Sequence, residues 1–459
     1  MKLTSTSPGN GYKTIGSVDI SSESEIVQKV ILAKAASLSW KNTSLDERLK
    51  YFQKLIEVYK THSDEVAILQ SKEVGKPIKD SLAEVEFDLE NISSKMKIAK
   101  KVLLPEIVDE SDAQKNVVYL EPYGVAAVIS PWNFPANNFF ISILQLLIAG
   151  NTVVHKHSEE CPLTSKLLDK IMTEAGFPIG VFATVYGDGK VGDFLTDQDI
   201  DYIHFTGSTK VGQHLYEKAA SKFIPVTLEM GGSSPGIIFK GADLDKLSMH
   251  ACIERFINCG QVCNALKRLI VEDSIFDDVV SRMKKDVESL VVGDPLDKKT
   301  DIGPLVAKRQ LDLFISQVND AVEKGARVIT GGKVLKSFDG AYFSPTILTN
   351  VSSDMRVVTE EVFGPVLPIV KFKTEKEAIE IANNTEYGLS AYVYGPDVEK
   401  LKYVSSQLQA GQVSINGTSF FSEHSPFGGY KKSGLGRNDG KYGFYQVTQM
   451  KVVSEPIVK

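Results

Sequence analysis

Between residues 125 and 230 the chain alternates short apolar runs with segments of helical period. The runs at 125–130 (VAAVIS), 152–155 (TVVH), 182–186 (FATVY), 202–205 (YIHF) and 225–228 (PVTL) are too apolar for one-sided burial and read as interior strands. Helix-period segments at 138–149, 163–175, 191–195 and 210–220 lie between them. This alternation predicts an α/β fold, a Rossmann-like parallel sheet with helices on both faces. Ligands of such sheets bind beyond the carboxyl ends of the strands. The pattern restarts after Glu229, with helices expected at 244–257, 275–290 and 309–323 and strands at 268–271, 327–329, 366–372, 391–394 and 412–415. The first hundred residues are mostly helical, amphipathic over 45–62 and 63–72, and should pack on the first unit. Residues 104–120 and 446–459 alternate weakly, as strands do when they leave the globule to pair elsewhere. The expected division is a cofactor-binding unit (1–103 and 122–230), a second α/β unit (231–432) and a small β arm (104–121 and 444–459).

Composition narrows the function classes. In 459 residues, 52 Lys+Arg against 58 Asp+Glu give a net charge of −6 with no basic block, which argues against nucleic-acid binding. The longest apolar run, FFISILQLLIA at 139–149, falls short of the ~20 residues that a membrane span needs and contains Ser142 and Gln145. The polar start MKLTSTSPGNGYKTIG has no secretory apolar segment, so a cytoplasmic protein with reduced thiols is expected. Four Cys cannot form a disulfide framework, and no Cys/His cluster suggests a metal. Their placement is uneven, because Cys252, Cys259 and Cys263 share one twelve-residue stretch while Cys161 stands alone.

Five segments could carry chemistry. In FINCGQVCNA, a Gly-Gln turn brings Cys263 just past a helix, where backbone N–H groups can stabilise a thiolate; a buried, inert thiol is the plainer reading. In VTLEMGGSSP, Glu229 ends an apolar strand before two glycines, as a general base or as a strand-end carboxylate facing solvent. In SPWNFP, prolines stiffen a turn that can hold the Asn133 amide toward a developing oxyanion, or serve only as a turn. FTGSTKVG is a strand–turn–helix with Gly207 and Gly212, suited to phosphate but lacking the G-x-G-x-x-G spacing. KHSE puts Lys156 and Glu159 at a strand's carboxyl end, as ribose ligands or as a solvated turn.

Taken in order, SPWNFP, AGNTVVHKHSEECP, FTGSTKVG, LEMGG, FINCGQVC, GDPLDKKTDIGPLV, EEVFGPV, EYGLSAYVYG and PFGGYKKSGLGR resemble the aldehyde dehydrogenase superfamily over nearly the whole chain. The resemblance implies that Cys263 is the nucleophile, Glu229 the general base, and Asn133 with the Cys263 backbone N–H the oxyanion hole. Lys156 would hold the adenosine ribose and Glu361 the nicotinamide ribose, with Phe363 nearby. Gly187, Gly207 and Ser208 would border the pyrophosphate, Phe205 and Gly212 of the same turn would belong to the cofactor site, and Trp132 would wall the cleft. Glu159 suits a ribose 2′-hydroxyl and repels a 2′-phosphate, so NAD is favoured; Ser158 and Lys156 leave NADP possible. The arm implies a homodimer or homotetramer.

The chemistry implied is oxidation of an aldehyde to its acid through a Cys263 thiohemiacetal and thioester, the latter hydrolysed by water that Glu229 activates. Succinate-semialdehyde members often use an Arg six residues past PWNFP and another before the Asn of NxGQxC; here those positions are Ile141 and Ile257. With Phe134, Phe139, Phe420 and Phe421 expected at the pocket, an apolar or aromatic aldehyde is favoured and succinate semialdehyde is the alternative. A Cys hydrolase lacking hydride transfer would need a positioned base, usually His, and none of the seven sits in a motif. A CoA-acylating relative would lack the Glu that Glu229 matches, and a non-catalytic structural descendant would have lost one of Cys263, Glu229 or Asn133. Cys259, four residues before Cys263, is either a space-filling residue or the partner in a reversible disulfide.

Overall fold

Strand Val125–Ser130 lies inside a six-stranded sheet in a computed structural model that describes residues 1–457. Thr152–His157 and Phe182–Val185 extend the sheet on one side; Tyr202–Thr206, Val226–Glu229 and the two-residue strand Gly434–Leu435 extend it on the other. All pairings are parallel except the last, where Gly434 stands opposite Glu229. The chain moves outward on one side and then resumes on the other, so strand order reverses at the carboxyl end of Val125–Ser130. That is where such sheets open a crevice, and SPWNFP leaves the sheet at this point.

The apolar run forms the helix Pro135–Ala149, with a proline in its first turn and Gly150 ending it at φ +103°. It is apolar nearly all round because it is covered nearly all round. The sheet lies on one side, and the helices Leu45–Thr61 and Ile78–Val102 lie on the other. Trp40, Phe52, Tyr59 and Ile92 share one core with Val128, Phe140 and Leu147. At about 1.5–3 kcal/mol for each large apolar side chain buried, this layer anchors the N-terminal helices to the sheet. Among the described residues no helix is long and apolar enough to cross a membrane.

The second sheet has seven strands in the order Arg327–Thr330, Thr346–Thr349, Val366–Phe372, Leu266–Glu272, Ser234–Ile238, Ser390–Tyr394, Gln412–Ile415. Only Arg327–Thr330 runs antiparallel to its neighbour. Ser234–Ile238 was not among the expected strands, since Pro235 and Gly236 argue against an interior one. The small residue is needed there: a Cβ on Gly236 would lie 2.5 Å from a Leu266 methyl. Four residues, Met230 to Ser233, join Glu229 at the end of the first sheet to Ser234 at the start of the second. The carboxyl edge of one sheet therefore faces the amino edge of the other.

Thr448–Pro456 pairs antiparallel with Gln114–Pro122 along its whole length, and Glu106–Glu110 flanks the far side. These three strands form a small antiparallel sheet apart from the two larger ones. Phe444 and Val447, assigned to the arm with 444–459, are buried in the core of the first unit. Helix Gly440–Gln446 packs on Ile78–Val102, so the arm begins at Thr448. Residues 458 and 459 of that assignment lie outside the described residues.

Candidate active site

Helix Leu244–Phe256 stops one residue earlier than expected, and the chain then turns through three consecutive left-handed residues, Asn258 (φ +49°), Cys259 (φ +58°) and Gly260 (φ +73°). For Asn and Cys this conformation costs on the order of 1–3 kcal/mol each. Side-chain amides hold it in place. Asn258 Nδ2 donates to the Asn133 carbonyl (2.8 Å) and Gln261 Nε2 to the Asn258 carbonyl (3.1 Å), while Gln261 Oε1 accepts from the Val306 N–H (3.0 Å). The turn re-aims the backbone so that Cys263 arrives half-buried before strand Leu266–Glu272.

Asn133 is locked into the same network. Its Oδ1 accepts from Asn138 Nδ2 (3.2 Å) and its Nδ2 donates to the Gln261 carbonyl (3.0 Å), two residues before Cys263. An amide has two N–H donors, so one remains for a ligand. A donor fixed in advance stabilises a developing oxyanion without reorganising, which is where its catalytic value lies.

Glu229 is 3 % exposed, and neither carboxylate oxygen has a hydrogen-bond partner. Burial raises its pKa well above the usual carboxylate range; Arg437 opposes this and Asp439 adds to it. A carboxyl so raised holds its proton at rest and becomes able to take one from water only once it has ionised. Cys263 is pushed up to about 12, first by burial, then by the Glu361 carboxylate, with Lys267 opposing. At rest Cys263 is therefore a thiol, which would have to lose its proton before its sulfur could attack a carbonyl.

The two glycines after Glu229 let three segments converge. A Cβ on Gly231 would collide with the Glu361 carboxylate, and one on Gly232 would lie 2.6 Å from the Cys263 carbonyl oxygen. The Gly232 N–H donates to Glu361 Oε1 at 3.1 Å. Ser433 ties the dipeptide down, its Oγ donating to the Gly231 carbonyl at 2.7 Å. The 360–366 loop that carries Glu361 is held by two buried cations that the sequence reading passed over. Lys267 Nζ donates to the Val362 carbonyl (3.0 Å) and sits 4.8 Å from the centre of the Phe363 ring; Arg255 donates to the carbonyls of Gly364 and Val366. Burial, followed by Arg255, lowers Lys267 to about 7. The available signal was a charged pair, Lys267–Arg268, opening an apolar strand, where it must find partners.

Along the first sheet's carboxyl edge, Lys156 is 3 % exposed and donates to Glu159 (3.4 Å), which also lies 3.8 Å from Arg309. Ser158 accepts from the Glu160 N–H (3.3 Å). Trp132 meets Phe363 edge to face at 5.7 Å. Ser208 caps helix Thr209–Lys222 without using its hydroxyl, and Gly187 is buried against Val191. These side chains, glycines and free donors suit a dinucleotide lying across the edge, with a ribose at Lys156 and Glu159 and the nicotinamide end toward Glu361. Two further residues of the FTGSTKVG turn are packed inward. Phe205 is 4 % exposed and lies in the core under Gly207, while Gly212 is small because Met230 packs against it.

A cavity of ≈ 310 Å³ opens between helix Ile78–Val102 and the 420–427 loop, and Phe87, Phe420, Phe421 and Phe427 line it. Phe420 lies 6.1 Å from Tyr392, whose hydroxyl donates to the Asn264 carbonyl (2.9 Å), next to Cys263. Gly428, after Phe427, comes within 3.0 Å of Glu229 Oε1, measured from where its Cβ would be. Phe134 and Phe139 do not line this cavity. Phe139 is on the inner face of its helix against Phe140, His155 and Phe182, and Phe134 lies under Lys76 Nζ, 4.5 Å from the ring centre. Cys259 is 1 % exposed, within the second unit's core, and all four cysteines are free thiols.

Comparison with known proteins gives the same picture from outside. The family model described as "Aldehyde dehydrogenase family" matches residues 2–453. A succinate-semialdehyde dehydrogenase [NADP(+)] of Escherichia coli is 36% identical over 448 residues, covering 97% of this chain and 92% of that protein. A betaine aldehyde dehydrogenase of Bacillus subtilis is 38% identical over 421 residues, covering 90% and 86%. The crystal structure of an NAD-dependent aldehyde dehydrogenase from Sinorhizobium meliloti superposes with a TM-score of 0.96 at 34% identity, covering 100% of this chain and 92% of that one.

Proposed function

Because this chain belongs to the aldehyde dehydrogenase family, we propose that it oxidises an apolar or aromatic aldehyde to the carboxylic acid, with Cys263 as nucleophile, Asn133 as oxyanion donor, Glu229 as base and NAD as oxidant. One observation carries the reading: the Gly231–Gly232 pair brings the Glu229 strand, the Cys263 backbone and the Glu361 carboxylate into contact.

Cys263 loses its proton and its sulfur attacks the aldehyde carbon, breaking the carbonyl π bond. The Asn133 amide and the Cys263 backbone N–H stabilise the resulting oxyanion. When the oxyanion collapses, the C–H electron pair leaves as hydride and a thioester to Cys263 remains. The nicotinamide of NAD supplies the hydride acceptor. Glu229 then removes a proton from water, whose oxygen adds to the thioester carbon. The C–S bond breaks, releasing the acid and the Cys263 thiolate. Lys156 and Glu159 would hold one ribose and Glu361 the other. The Glu159 carboxylate supports NAD over NADP.

The aromatic walls and the absence of Arg from the cavity lining support an apolar or aromatic substrate. Succinate semialdehyde is the second reading, favoured by the names of several relatives about 36% identical to this chain. Its carboxylate would have to recruit Lys95, which is already paired with Asp439. Absorbance of NADH formed from a panel of benzaldehyde, hexanal and succinate semialdehyde, with NAD and NADP, tests both readings. Cys263→Ala should abolish the signal. Wild-type turnover in that variant refutes the nucleophile, and strong selectivity for succinate semialdehyde refutes the substrate class. The β arm, with Thr448–Pro456 on its chain, supports assembly as a homodimer or homotetramer.

A further inference from the structure

Helix Pro135–Ala149 begins two residues after Asn133, and its N-cap is Phe134, whose side chain accepts no hydrogen bond. The first N–H groups of a helix have no partner within it. Here the acceptor comes from another helix. Glu84 of Ile78–Val102, 6 % exposed, accepts from the Asn137 backbone N–H at 2.9 Å. One turn further along the same face, buried Asp88 accepts from Asn137 Nδ2 at 2.7 Å and from the Tyr59 hydroxyl at 2.9 Å. Buried Lys76 is the salt-bridge partner of Glu84, and its ammonium stands over the Phe134 ring. Asn137 is thus gripped at backbone and side chain, and the next residue, Asn138, is the one whose Nδ2 holds Asn133 Oδ1. One turn before Glu84, Asp80 accepts from the Asn258 N–H at 3.4 Å, and Asn258 Nδ2 donates to the Asn133 carbonyl. A buried ion pair adds little stability over apolar residues of the same volume, so stability alone does not account for a charged pair at this point.

We propose that the Lys76–Glu84 pair positions the oxyanion donor: by capping helix Pro135–Ala149 it fixes the bearing of Asn138 and, through it, of the Asn133 amide. The proposal rests on the reading of Asn133 as that donor. Neither Lys76 nor Glu84 touches a reacting atom; both act through Asn133. A preset donor is worth most when its aim is exact to a fraction of an ångström, and a misplacement of about 1 Å costs up to about 10²-fold in rate.

The test reads the first-turnover rate of NADH formation from benzaldehyde by stopped-flow absorbance, and NAD affinity by calorimetric titration. Exchanging both members together, Lys76→Met with Glu84→Leu, removes the cap without stranding a buried charge, so Tm should stay near wild type. The first-turnover rate should fall about tenfold, with NAD affinity unchanged. Lys76→Met with Glu84→Gln, whose amide oxygen can still accept from Asn137, should recover most of that rate. In an Asn133→Ala background the Met/Leu exchange should cost nothing further, because the donor that it aims is gone. Should that exchange fail to fold, Glu84→Asp draws the same acceptor back by one methylene and should slow the first turnover likewise. A wild-type first-turnover rate in either folded variant overturns the proposal, as does an equal loss with and without Asn133. Wild-type rate in Asn133→Ala alone is a different failure, which sinks the oxyanion reading and the positioning role with it.

Discussion

Replacing Glu229 by Gln should stabilise the protein in a pH-dependent way while removing deacylation. Both effects come from the burial of a carboxyl with no hydrogen-bond partner. Below about pH 4.5 the group is protonated in the folded and unfolded chains alike, and it contributes no pH-dependent term. Above that, the unfolded chain ionises while folded Glu229 keeps its proton, so stability falls as pH rises until the folded pKa is passed. The interval from 4.5 to pH 7, at about 1.36 kcal/mol per pH unit, caps this cost at about 3.4 kcal/mol. Gln is close in size to the protonated acid and also leaves polar atoms unpaired, so the pH-independent offset is small. For a chain of 459 residues each kcal/mol moves Tm by about 1 °C. Glu229→Gln should therefore gain up to about 3 °C on wild type between pH 5 and 7.5, read by scanning calorimetry. Stopped-flow absorbance on the same protein should show a burst of about one NADH per site followed by slow turnover. Wild-type deacylation should rise with pH through the raised pKa, and the variant should lose that limb. A Tm difference flat from pH 5 to 8, or steady-state turnover equal to wild type, refutes the argument.

Other consequences are more local. Asn133→Ala removes the preset donor and should lower kcat by about 10²–10³-fold, visible in the single-turnover rate. Gly232→Ala puts a methyl 2.6 Å from the Cys263 carbonyl; a large drop in kcat/KM is expected, and full activity would show that the segments do not need this approach. Glu159→Gln removes the carboxylate opposing a 2′-phosphate, so kcat/KM for NADP relative to NAD should rise, and an unchanged ratio counts against its role. Burial holds the Cys259 thiol up at about 12, in an inert form. Peroxide inactivation and its recovery by dithiothreitol should be the same in Cys259→Ala, and slower recovery in that variant would support a disulfide with Cys263.

Elements whose burial is uniform were the legible ones. The five apolar runs from Val125 to Leu228 became the parallel strands of one sheet, because a strand covered on both faces leaves an unbroken apolar run in the sequence. Ser234–Ile238 was not legible, since its Pro and Gly serve close packing against Leu266 and obscure the strand pattern. Asn133, Cys263 and Glu229 stood out by motif, whereas the groups that position them did not. Asn258 is an ordinary amide until the fold brings the Asn133 carbonyl to it from 125 residues away, and Gln261 until Val306 reaches it across 45. Proximity in sequence to a motif says nothing of which way a residue faces, as Phe139, Phe205 and Gly212 illustrate. The structure turns all three inward.

Gly434–Leu435, the short antiparallel strand beside Glu229, has a consequence for how the molecule is made. About two hundred residues, the whole second unit among them, are translated between the strand that carries the base and the strand that covers its edge. While the chain is still on the ribosome, Val226–Glu229 is an open sheet border with an unprotected carboxylate at its end. It is closed only once nearly all of the polypeptide has emerged. Loss of the last thirty residues should thus leave the catalytic edge unsealed and prone to pairing with other chains, so a late stop codon would be more damaging than the small size of the missing piece suggests.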